Sequence, residues 1–99
     1  MKTPYEYRYT PRHYNADGTV NYDGSPLYVE KGTPILDAII MGFDLAREFH
    51  TDVLFAAFAP AVKWQHLHTL HPDGTATDAF GNHLRFTGNA LRFWDKVKE

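Results

Sequence analysis

Four of the six histidines, His66, His68, His71 and His83, are the side chains with the most obvious chemical capacity. If Val62 to His71 forms a strand, Val62, Trp64, His66, His68 and Leu70 share one face, with Lys63, Gln65, Leu67 and Thr69 on the other. Imidazoles two residues apart then project together. With His71, His83 and a carboxylate from Asp73 or Asp78, they would hold zinc or iron with an open coordination position. The same spacing occurs in ordinary domains, where strand histidines beside an aromatic such as Trp64 are hydrogen-bonded and half-buried. A histidine metal-binding protein or small metal-dependent hydrolase is therefore the alternative expectation, and no metal or cofactor is assigned.

Other catalytic and cofactor patterns fail on specific residues. The stretch from Thr19 to Glu30 spaces Asn21, Asp23, Gly24 and Glu30 as an EF-hand calcium loop would, but Thr19 stands where the first aspartate belongs. Pro26 falls near the loop's β-pairing position, and turn residues replace the entering helix. Ser25, the only serine, lies between Gly24 and Pro26, outside any nucleophile elbow. Asp44 and Glu48 fall on the polar stripe of a helix, where solvation explains them. No glycine-rich phosphate cradle is present.

The remaining chemistry is recognition. All six tyrosines precede Thr33, whereas all seven phenylalanines and both tryptophans follow Met41. Tyrosine tolerates a half-wet surface that phenylalanine does not. Tyr5, Tyr7, Arg8, Tyr9, Arg12, Tyr14 and Tyr22 are the residue types enriched at interface hot spots and form the expected binding set. Alternatively, the tyrosine rings cover the core and leave only their hydroxyls wet.

Positioning such residues requires a core, and the stretch from Thr33 to Leu70 has the apolar surface for one. Thr33 suits a cap and Pro34 the first helical position of a helix over residues 33 to 50. Asp37, Asp44 and Glu48 make a narrow polar stripe on it, so the spacing predicts a central helix gripped on more than one side. Gly42 costs helix stability by about 1 kcal/mol relative to alanine, which points to a close backbone approach. Tyr5, Tyr7 and Tyr9 alternate with Glu6, Arg8 and Thr10 as an edge strand bracketed by Pro4 and Pro11. Residues 1 to 32 then read equally as a tyrosine-rich meander or a loop-rich arm. Asp52 to Ala59 is continuously apolar, as in a strand buried on both faces, although its alanines would suit a helix. Residues 52 to 86 read as an antiparallel meander, and Ala90, Phe93, Trp94 and Val97 are spaced for a C-terminal helix over residues 89 to 98. The triplet Asp-Gly-Thr occurs at Asp17 and again at Asp73, marking two similar turns.

The expected fold is α+β: one long central helix on an antiparallel sheet of about four to five strands, plus a short C-terminal helix. Ninety-nine residues that are 43% hydrophobic suffice for a single domain. The absence of cysteine removes disulfides and thiolate chemistry. The N-terminus lacks a signal-peptide pattern, and no apolar run is long enough for a membrane helix, so a cytoplasmic location is expected. A formal net charge of −2 makes nucleic acid an unfavoured partner. The expectation is a small non-enzymatic module that binds a protein partner, as an inhibitor or accessory protein of a phage or mobile element would. Self-association stays open.

Overall fold

A computed structural model describes residues 5 to 97, with the side chain of Tyr5 outside the described residues. The alternation that begins at Tyr5 continues through Pro11 into a ten-residue strand, β1 (Tyr5–Tyr14). There follow β2 (Val20–Asp23), β3 (Leu27–Glu30), α1 (Ile35–Phe49), β4 (Asp52–Ala59), β5 (Lys63–Leu70), β6 (Thr75–Asp78), β7 (His83–Asn89) and β8 (Arg92–Lys96). The strands form one antiparallel sheet in the order β2-β1-β4-β5-β6-β7-β8, with β3 also beside β1.

β1 is an interior strand rather than the expected edge. β4 pairs along one side of it, while β3 and β2 share the other side end to end. Pro11 is tolerated because its carbonyl accepts the Gly24 N–H (2.7 Å) on that second side. A strand residue's N–H and C=O point the same way, so the missing donor faces the junction where pairing passes from β3, ending at Tyr9, to β2, starting at Arg12. There the ladder loses nothing.

The expected fold class is corrected on strand number and at the C-terminus. The sheet has eight strands, and α1 is the one helix among the described residues. The segment expected as a helix over residues 89 to 98 instead turns at Ala90 and Leu91 and returns as β8; Lys98 lies outside the described residues. Register explains the outcome. Phe86 lies opposite Trp94, whose indole packs 5.5 Å from the Phe86 ring, 6.1 Å from Phe43 and 4.5 Å from His68. A helix this short is marginal in water, whereas the hairpin packs a half-buried tryptophan against the core and suits the β preference of Phe93 and Trp94.

α1 matches the expected helix closely, but its start and environment differ. Thr33 does not cap it: its hydroxyl donates to the Glu30 carbonyl (3.0 Å), and Pro34 occupies the cap position without a side-chain bond. His50 closes the helix in the left-handed region (φ 54), its N–H returning to Ala46. The helix lies on one face of the sheet, burying Ala38, Ile39, Gly42, Phe43 and Ala46, while Ile40 and Met41 stay exposed. A single sheet offers only one surface, so the grip from several sides does not occur. The close approach at Gly42 is real but involves side chains: a Cβ there would meet Leu70 and, at 3.0 Å, Tyr9.

Under the helix, Tyr9, Val53, Phe55, Leu70 and Ala76 form the core with its buried residues. Tyr7 and Tyr9 stack on Phe55 at 5.3 and 5.6 Å, and the Tyr9 hydroxyl donates to the Ala38 carbonyl. That bond satisfies the hydroxyl of a ring only 2% exposed.

Candidate functional site

Helix α1 covers one face of the sheet, and no described element covers the other. On a period of two, Tyr7, Tyr9 and Pro11 of β1 point to the helix, whereas Arg8, Thr10 and Arg12 point away. β4 is apolar on both sides: Val53 and Phe55 enter the core, while Leu54, Ala56 and Phe58 line the open face. A strand buried on both faces was the expectation, but Leu54 and Phe58 are only half-buried. Apolar side chains on an uncovered face are the feature that calls for a ligand.

This face is indented. Arg8, Thr10, Arg12, Leu54, Ala56, Trp64, His66 and Thr69 line a groove of about 260 Å³. Its floor is aliphatic and its rim polar. At one end the Arg8 guanidinium lies 4.8 Å from the Trp64 ring centroid, and Trp64 also contacts Phe58 (5.5 Å) and Tyr28 (5.7 Å). Arg8 has no carboxylate partner among the described residues, and its Nε is buried without an acceptor. At the other end Arg12 donates through Nε and Nη2 to Asp23, at 2.9 and 3.3 Å. That pairing holds the Asp23 carboxyl below the usual aspartate range and raises the guanidinium further. The cations of the groove therefore differ. Arg12 is neutralised by Asp23, and Arg8 carries the uncompensated charge. His66 and Thr69, joined by a 3.2 Å hydrogen bond, complete the wall.

Beyond Arg12, a line of hydrogen bonds crosses the open face. The Tyr14 hydroxyl donates to Asp52, Asp52 Oδ1 meets His71 Nδ1 at 2.8 Å, and His71 Nε2 meets Thr77 Oγ1 at 3.0 Å. Partial burial, then the Asp52 hydrogen bond, pushes the Tyr14 phenol up to about 12. Carboxylate, imidazole and hydroxyl stand in the order of a nucleophilic triad. Thr77, however, lies in a strand paired on both sides, with Thr69 and with His83. Its neighbouring amides serve the ladder rather than an oxyanion hole, so the line acts as a tie between strands.

The expected binding residues do not form one patch. Arg8 and Arg12 line the groove, Tyr14 lies at its end, and Tyr7 and Tyr9 face the core. Tyr22 stacks on His13 at 4.5 Å in β2, and the side chain of Tyr5 is outside the described residues. The four histidines also separate. A bulge shifts the β4–β5 register between Phe55 and Ala56, so that Phe55 opposes His68 and Ala56 opposes His66. His66 therefore faces the groove, while His68 turns to the core against Trp94. Burial lowers the His68 pKa, and its Nδ1 lacks a partner. His71 and His83 lie 6.3 Å apart with His71 bound to Asp52, and no group of three metal-ligating side chains gathers among the described residues.

Sequence reasoning missed Trp64, Leu54, Ala56, Thr10, His66 and Thr69 as groove residues. The signal was present in β4, whose apolar residues occupy both faces although one helix can cover only one. No helix among the described residues is long and apolar enough to cross a membrane. No protein-family model, curated protein or solved structure matches the chain.

Proposed function

We propose that this chain is a non-enzymatic module that binds another protein through the uncovered face of its sheet. The observation that carries the reading is the Arg8 guanidinium stacked on Trp64, without a counterion, over a partly apolar concave floor. Arginine, tryptophan and tyrosine dominate interface hot spots because rigid rings bury area at low entropy cost and a guanidinium adds directional donors. Trp64, Arg8 and Tyr28 supply that combination at one point of the sheet. The tyrosines that first suggest recognition support it mostly from behind, by fixing β1 against α1.

The test is affinity capture from the native host with the wild-type chain and the variants Arg8→Gln, Trp64→Ala and, on the opposite face, Met41→Ala. A partner held by wild type and Met41→Ala but lost with the groove variants, at a melting temperature unchanged for Arg8→Gln, supports the reading. A partner held equally by all four chains overturns it.

A further inference from the structure

Resting on the docking role just proposed, we infer that the groove recognises one carboxylate paired with a large apolar side chain, as presented by an acidic residue two positions from an aromatic one in an extended segment of the partner, where a period of two puts both on the same side. The charge distribution sets the anion. With Arg12 matched by Asp23, the groove offers one free guanidinium, which suits a singly charged carboxylate and is one cation short for a phosphate dianion. Nor is Trp64 available as a platform for a nucleobase, since Arg8 lies over its ring and Phe58 meets it edge-on at 75°.

The apolar half of the ligand follows from the floor. Across the β1–β4 pair Ala56 lies opposite Arg8 and Leu54 opposite Thr10, and about 260 Å³ accommodates one large side chain and little more. Thr10, His66 and Thr69 stand around that floor with hydroxyls and an imidazole that can meet the amides of an extended backbone. An acidic residue alone would leave the floor wet, and an apolar residue alone would leave Arg8 uncompensated. The pair satisfies both.

The chain carries its own control, because its two tryptophans lie on opposite faces: Trp64 in the groove and Trp94 against Phe43, Phe86 and His68. The capped tripeptides Ac-Glu-Ala-Phe-NH2 and Ac-Gln-Ala-Phe-NH2 are titrated into 15N-labelled full-length protein while both indole N–H signals are followed. The expected result is a saturable shift of the Trp64 signal by the glutamate peptide, with a Kd of about 1 mM as suits a small ligand. Trp94 should stay still, and the glutamine peptide should bind at least tenfold more weakly, about the effect of one charge-assisted contact. In Arg8→Gln the two peptides should bind alike.

Absence of a saturable shift, equal affinity for both peptides, a glutamate preference that survives Arg8→Gln, or movement at Trp94 instead of Trp64 overturns the inference. The outcomes separate the two claims. If the tripeptides fail while Trp64→Ala still abolishes partner capture, docking on this face stands and the ligand chemistry is wrong. If Trp64→Ala leaves capture intact, the docking reading itself fails.

Discussion

Gly42 of α1 faces Leu70 of β5 so closely that any Cβ at position 42 would intrude on the Leu70 side chain and touch the Tyr9 ring. This contact sets how near the helix lies to the sheet. Leu70 and Tyr9 are essentially fully buried, so neither can move aside cheaply.

Gly42→Ala therefore brings opposing effects. Helix propensity favours alanine by about 1 kcal/mol, whereas overpacking costs about 1–3 kcal/mol. The expected net result is destabilisation, read as a lower urea midpoint with unchanged slope. Because the clash is with Leu70, Leu70→Ala should cost less in the Gly42→Ala background than in wild type.

Tyr9→Phe removes the hydroxyl that donates to Ala38 while keeping the ring on Phe55, and should cost about 1 kcal/mol. Burial raises the Tyr9 pKa, with the neighbouring Tyr7 adding to it. Above the unfolded value of about 10 the unfolded chain sheds this proton while the native state keeps it, so stability falls as pH rises past 10. Tyr9→Phe should flatten that alkaline decline in urea midpoints measured from pH 8 to 11.

His68 acts on the acid side. Its pKa lies below the ordinary value of 6.5 because burial disfavours the imidazolium. Below about 6.5 the unfolded chain binds a proton that the native state refuses, so stability is full above that pH and declines as pH drops toward the folded value. His68→Phe should remove much of the decline between pH 7 and 5 in thermal melts, and should leave peptide titrations at Trp64 unchanged, since His68 lies on the helix side.

Asp52→Asn disturbs the line from Tyr14 to Thr77. The amide can still contact His71 but no longer offers charged acceptors to both neighbours, and the expected loss is about 1–2 kcal/mol. The Tyr14 phenol should fall from about 12 toward its ordinary value, read by ultraviolet titration of the tyrosines.

The paired Asp-Gly-Thr turns give a local test. Asp73 Oδ1 accepts from both the N–H and the hydroxyl of Thr75, at 2.9 and 2.5 Å, and Asp17 does the same with Thr19 at 3.0 and 2.6 Å. These bonds, the hydroxyl's first, lower both carboxyl pKa values. Thr75→Val should raise the Asp73 carboxyl in an NMR titration and leave Asp17 unmoved.

Local chemistry alone determined a good deal of this protein. The helix between Pro34 and His50, the alternation of β1 and the repeated Asp-Gly-Thr turns all follow from interactions among residues a few positions apart, so the chain order records them. Three features depended on which distant segments meet. The C-terminal segment is a strand because Phe86, Phe43 and His68 give Trp94 a place to pack, which a helical period cannot register. A bulge beside Leu67 sends His66 and His68 to opposite faces, and a period of two carries no mark of such an insertion. The same period separates the β1 tyrosines from the β1 arginines, but only the packing of α1 decides that the tyrosine side is covered and the arginine side is left open. That choice of face is made by long-range burial, and it turned the candidate site from a tyrosine patch into a groove around Arg8 and Trp64.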